Sequence, residues 1–166
     1  MARQIWLLRH ADAEPHGTRP DHERQLTSRG ERQAAAAGMA LAGMRVTFDA
    51  VLASPRVRAR RTAELAVAEW SDHTRPPLQS YAPLDRGFDS SAALGAFAHV
   101  GARNRLLLVG HEPDLSNVIA SLTGGAADLK KGGLAALALA GARAELILLL
   151  RPKELALMAA RVRQPA

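Results

Sequence analysis

Cysteine is absent from all 166 residues, which excludes a disulfide framework, a thiolate nucleophile and a thiolate metal centre. Aromatic residues make up only 4% of the chain. They do not interleave with the basic residues, and no zinc-finger or RRM-like signature is present, so no nucleic-acid partner is expected. Lysine is nearly missing: Lys130, Lys131 and Lys153 are the only lysines among 22 basic residues. No apolar run reaches the roughly 20 residues of a membrane-spanning helix. The first residues lack a basic region followed by an apolar core and a cleavage site. A cytoplasmic chain without membrane association is therefore expected. With no internal repeat, linker or low-complexity segment, residues 1–166 read as one domain, long enough for a proper core at 48% apolar residues.

What is present is basic. The formal net charge is +6, carried mostly by dispersed arginines with one local cluster, "RVRARR" at Arg56–Arg61. Such potential attracts any phosphorylated or acidic partner. Within that cluster, Arg56, Arg60 and Arg61 read as a solvated helix face.

The apolar segments alternate in type along the chain. Gln4–Leu8, Asp49–Ala53 and Arg105–Gly110 read as buried strands, and Leu78–Tyr81 as a short one. Thr27–Met44 is Ala-rich and proline-free, a helix capped by Thr27 or Ser28, with Ser28-x-x-Glu31 able to close a capping box. Ser54-Pro55 supplies a cap and a proline at the start of a second helix running to Trp70. Ser90–His99 reads as a helix, and another opens near Pro113 or Asp114 and stops at Gly124-Gly125. Leu134–Leu139 and Glu145–Leu150 flank "AGAR" as a hairpin, and "RPKELALMAARVR" closes as an amphipathic helix. Strands buried on both faces and alternating with helices predict an α/β fold. The expected form is a three-layer α/β/α sandwich around a mostly parallel sheet of about six strands, one of them antiparallel.

In open α/β sheets, ligands sit beyond the carboxyl ends of the strands. The first strand ends in Arg9-His10, the second in Ser54-Pro55 with Arg56 and Arg58 following, and the third in Gly110-His111-Glu112. Two histidines and several arginines at one sheet edge suit a doubly negative tetrahedral anion, because guanidinium forks bind phosphate oxygens bidentately. A neutral imidazole can attack phosphorus, and flanking arginines disfavour its protonation. Ser54 reads as a cap and not a nucleophile, since no G-x-S-x-G surrounds it. His16, His22, His73 and His99 lie in polar or peripheral stretches and read as surface residues. His10 and His111 lack the spaced carboxylate of a hydrolytic metal centre, so no metal is expected.

"LLRHADAE", "SPRVRARRT" and "LLVGHEPDLS", in this order, resemble the histidine phosphatase superfamily, most closely its short SixA-type phosphohistidine phosphatase branch. The likeness extends to "RQLTSRG" and "KKGGLAAL", and so covers nearly the whole chain. It implies a phosphoglycerate mutase-like fold and a phosphatase that forms a phosphohistidine intermediate without metal or other cofactor. His10 would be the nucleophile, with Arg9, Arg58 and a protonated His111 completing the phosphate pocket and Arg24 in a lesser binding role. Asp85 and Asp89 are the general-acid candidates. Two departures stand out: Ala11 follows His10 where the superfamily often has glycine, and Gln25 replaces the proline of an arginine-proline-leucine-threonine run. The substrate implied is a phosphohistidine-bearing protein. A small-molecule phosphomonoesterase is the alternative within enzymes, and a non-catalytic basic phosphate- or nucleic-acid-binding module is the alternative outside them.

Overall fold

The computed structural model describes residues 2–164. Six strands form one sheet in the order β3-β2-β4-β1-β5-β6. They are β1 (Gln4–Arg9), β2 (Ala50–Ala53), β3 (Leu78–Ser80), β4 (Arg105–Gly110), β5 (Leu134–Ala140) and β6 (Arg143–Leu150). β3, β2, β4 and β1 run parallel, while β5 runs against both of its neighbours, β1 and β6. The expected mostly parallel sheet with one reversed strand is therefore the architecture found. The β5–β6 turn is tighter than the four residues "AGAR". Only Gly141 and Ala142 separate the strands, and Gly141 takes φ +64° to allow it.

The helices are α1 (Ser28–Gly43), α2 (Val57–Val67), α3 (Ser90–Val100), α4 (Asp114–Thr123) and α5 (Pro152–Val162). Alternation along the central strand divides them between the two faces of the sheet. Ile5 and Leu7 of β1 pack with α3 and α4 through Phe97, Leu115 and Ile119. Trp6 and Leu8 pack on the other face with α1, α2 and α5 through Leu41, Ala63 and Leu155. Among the described residues no helix is long and apolar enough to cross a membrane.

Two local expectations change. Thr27 caps α1 by accepting from the Gly30 amide, but Ser28 and Glu31 close no box; Glu31 lies 3.7 Å from Arg61 instead. α2 begins at Val57 and ends at Val67, two residues later and three earlier than the cap-and-proline signal suggests. Its C-terminal extension turns away so that Trp70 can bury its ring against Phe48 and donate Nε1–H to the Val46 carbonyl at 3.2 Å. At the start of α1, a Cβ on Gly30 would stand 1.9 Å from the Asp12 carbonyl oxygen. Only glycine lets the helix approach the loop that follows β1 so closely.

Candidate active site

Strand register brings the functional residues to one level. Val109 of β4 pairs with Leu8 of β1 on one side and with Ala53 of β2 on the other. The ladder continues one step past the strands, with the His10 amide donating to the Gly110 carbonyl at 3.0 Å and the Ser54 amide to the Val109 carbonyl at 3.0 Å. The opposite side of β1 is held by the loop before β5. Gly132, at φ +72°, donates its amide to the Arg9 and His10 carbonyls, and Gly133 accepts from the Arg9 amide at 3.1 Å. His10 therefore projects from backbone fixed on both sides.

The partners of the His10 imidazole define its tautomer. Nδ1 lies 2.8 Å from the Ala11 carbonyl, which can only accept, so Nδ1 carries the proton. Nε2 lies 3.3 Å from Arg58 Nε, which can only donate, so Nε2 presents its lone pair. The ring is buried, and burial is the main reason its pKa falls to about 3; His111, Arg58 and Arg9 push it the same way, against the Ala11 hydrogen bond. Arginine proximity is thus the smaller cause of neutrality and desolvation the larger. Ala11 is fully buried, and its amide donates to Thr62 Oγ1 at 3.1 Å, which ties the loop after the histidine to α2.

Asp21 organises the arginines, and no sequence signal marks it. One carboxylate oxygen accepts from Arg24 Nε at 2.9 Å; the other accepts from Arg58 Nη2 at 3.3 Å and from Arg56 Nη1. The Asp21 carbonyl also accepts from Arg58 Nη1 at 2.6 Å. Partial burial alone would raise the Asp21 pKa, but the Arg24 hydrogen bond and the charges of Arg58, Arg24 and Arg56 prevail and hold it at about 2. Arg56 departs from the expected solvated face: its side chain is only 11% exposed and pairs with Asp21 and Asp85. Local helical spacing cannot reveal this, because both partners come from distant loops. Arg60 and Arg61 do face solvent, pairing with Glu64. Arg9 donates Nη1–H to the Leu129 carbonyl at 3.0 Å, and its buried Nε has no partner among the described residues.

His111 lies with its ring centroid 5.3 Å from that of His10. Its Nε2 is 2.8 Å from Ser54 Oγ, which also accepts from the Arg56 amide at 3.3 Å. Ser54 is thus the buried companion of a histidine as well as a partner of the turn before α2, whose N-cap position falls to Arg56. The expected protonated His111 is not the state of the free site. Burial, and then the charges of Arg58 and Arg56, lower its pKa to about 3 and leave it neutral at physiological pH.

A pH dependence of stability follows. In the unfolded chain both imidazoles take protons near pH 6.5, whereas in the folded site they resist protonation down to about pH 3. The unfolded state binds more protons in that window, so stability falls as pH drops below 6.5, by up to about 2.7 kcal/mol per unit for two histidines. Glu112, whose pKa is raised by burial, opposes this as one group against two. Denaturant titrations between pH 7 and 4.5 are expected to show the decline, and replacing both histidines by glutamine should flatten it. A flat wild-type profile would contradict the buried neutral pair.

The acid candidates separate. Asp85 lines the cleft, but its carboxylate accepts from Arg56 Nε at 2.6 Å, and that bond lowers its pKa. Asp89 lies outside the cleft lining and caps α3 by accepting from the Ala92 amide at 2.8 Å. Glu112, which the sequence reading passed over, lines the cleft and accepts from the Ser116 amide at 3.2 Å. Its place directly after His111 at a strand end was the available signal.

Arg9, His10, Arg24, Arg58 and His111 together line one cleft of about 840 Å³. Among the described residues, no three His, Cys, Asp or Glu side chains converge as a metal site would require. Of the histidines expected at the surface, His16 also reaches the cleft rim, 3.6 Å from Asp21.

Comparison with known proteins gives the same picture. The model of the histidine phosphatase superfamily (branch 1) matches residues 5–79. An uncharacterized protein of Picosynechococcus sp. is 34% identical over 168 residues, covering 90% of this chain and 97% of the relative. The solved structure of the protein histidine phosphatase SixA complexed with tungstate superposes with a TM-score of 0.78 at 24% identity, covering 92% of this chain and 99% of the other. A structure described as phosphohistidine phosphatase SixA from Nakamurella multipartitia reaches 0.75 at 28% identity, covering 92% and 97%.

Proposed function

Because the chain belongs to the histidine phosphatase superfamily and is a phosphatase, we propose that it removes phosphate from phosphohistidine in a partner protein through a covalent intermediate on His10. The observation that carries this reading is the tautomer of His10: a buried, neutral imidazole with Nδ1–H fixed and the Nε2 lone pair aimed among arginines.

In the first step Nε2 attacks phosphorus in line, the N–P bond forms, and the bond from phosphorus to the departing imidazole breaks. Arg58 Nε–H, which donates to that lone pair in the free site, transfers its hydrogen bond to a phosphoryl oxygen as the lone pair is used. Arg58, the unpartnered Nε of Arg9, and His111 stabilise the equatorial oxygens by dipoles and charges already in place. A bound phosphate dianion also favours protonation of His111, reversing the desolvation that keeps it neutral beforehand. In the second step water attacks the phosphoryl group and the N–P bond breaks, restoring His10 and releasing phosphate.

Asp85 supports a phosphoramidate over a phosphomonoester. As an ion-paired carboxylate with a lowered pKa it holds no proton for an alkoxide. Burial raises the pKa of Glu112, the cleft carboxyl that follows His111, but its carboxylate is engaged by the Ser116 amide. An imidazole leaves with far less need of a general acid. A substrate panel tests the choice. A phosphohistidine-bearing phosphocarrier or phosphotransfer domain is expected to turn over with higher kcat/KM than sugar phosphates, nucleotides or p-nitrophenyl phosphate. Faster hydrolysis of any monoester would replace the phosphohistidine reading with the small-molecule one. Salt-sensitive nucleic-acid binding without any turnover would leave only the binding-module reading.

A further inference from the structure

Beside the phosphate cleft lies a second depression of about 500 Å³, of whose lining the catalytic chemistry uses only Arg9. It shares Arg9, Asp12 and Lys131 with the cleft, and its remaining lining includes Arg29, Lys130, Arg151 and Lys153. Those six cations come from β1, the start of α1, the loop before β5 and the start of α5. Local carboxylates answer them only in part: Lys131 is 3.6 Å from Asp12, Lys153 is 3.7 Å from Glu154, and Lys130 pairs with Asp128. Arg29 and Arg151 are exposed and form no ion pair among the described residues.

The placement of these residues works against the stability of the fold. Arg29 and Lys153 sit in the first turns of α1 and α5, and Arg151 occupies the N-cap of α5. Helix N-termini favour anions, so a cation there faces the helix dipole with the unfavourable sign. Each first turn also holds one carboxylate, Glu31 in α1 and Glu154 in α5, but the groove is lined by the cations and not by these acids, and the two helix dipoles add to the cationic charge. Local rules broken together in one place mark function more often than folding.

Resting on the phosphohistidine reading above, we propose that this groove docks acidic side chains that flank the phosphohistidine of the partner protein. A single small anion reaches only two or three of these side chains. Cations spread over four segments and open to solvent match a row of carboxylates on a polypeptide. Continuity through Arg9 and Lys131 places such a row beside the residue being dephosphorylated.

Two phosphohistidine peptides of equal length serve as probes, one flanked on both sides by Asp and Glu and the other by Ser and Asn. At an ionic strength of about 0.01 M, where charges act over about 30 Å, the acidic peptide is expected to have about tenfold higher kcat/KM, expressed in KM. The advantage should vanish near 0.5 M salt and in the Arg29→Glu/Arg151→Glu variant. That variant should hydrolyse the neutral peptide at the wild-type rate, which also reports an intact fold. Equal kcat/KM for the two peptides, or a preference that survives charge reversal, would overturn the groove while leaving the phosphohistidine reading in place. Hydrolysis of neither peptide would overturn that reading and the groove with it.

Discussion

His10→Ala is expected to abolish turnover, lowering kcat by at least about 10⁴-fold, and to eliminate acid-labile phosphoryl labelling of the protein. Covalent catalysis splits one displacement into two, and no other side chain in the cleft can take over the first half. His111 is the nearest imidazole, but its Nε2 is engaged with Ser54 and its ring is offset by 5.3 Å from that of His10. Arg9, Arg58 and His111 remain after the substitution, so phosphate binding should survive within a few fold. Rapid-quench labelling combined with equilibrium phosphate binding separates the two effects. Wild-type rates in the variant would show that His10 is not the nucleophile, and loss of phosphate binding together with turnover would indicate a collapsed site.

Arg58→Ala should be nearly as damaging, with kcat falling about 10³-fold, toward the upper end for loss of one preorganised donor to the transition state. Arg58 contacts both parts of the machinery at once. Its Nε meets the attacking nitrogen, while its Nη atoms meet Asp21, and the side chain is 5% exposed. Truncation removes charge from the phosphoryl oxygens and leaves His10 freer to turn. Arg58→Lys is expected to recover less than a tenth of the loss, since an ammonium cannot reproduce the planar fork that spans His10 and Asp21. Arg58 also helps lower the His10 pKa, so in the alanine variant the acid limb of the kcat/KM profile should move upward. An unchanged acid limb with an unchanged kcat would remove Arg58 from the reaction.

How far such a site can be read before folding depends on the range of the interactions involved. Arg9, His10, Ser54 and His111 all follow apolar runs, and strand ends are where an α/β sheet presents its ligands, so their convergence was legible from pattern alone. Asp21 was not. It opens a single 3-10 turn, Asp21–Glu23, between β1 and α1, and it acts on Arg56 and Arg58, 35 and 37 residues away. Arg56 was misread for the same reason, since helical periodicity describes neighbours and its partners are not neighbours. Ser54 shows the competition directly. Ser-Pro before a helix is a sound capping signal, and Ser54 Oγ does accept from the Arg56 amide, but the same hydroxyl also meets a histidine 57 residues away, and the helix starts later. The β5–β6 hairpin was visible because a glycine between two apolar runs is a short-range signal, although its turn is two residues and not the four of "AGAR".

The bond from His10 Nδ1 to the Ala11 carbonyl also decides regiochemistry. A ring locked in one tautomer offers phosphorus one nitrogen, so the labelled protein should carry a single phosphoramidate isomer, with the phosphoryl group on Nε2 and Nδ1 still bearing hydrogen. Two-dimensional nitrogen–phosphorus spectra distinguish the two isomers, and here only one set of couplings is expected. A main-chain oxygen that never touches substrate thereby selects which of two chemically different enzymes exists at the midpoint of every cycle.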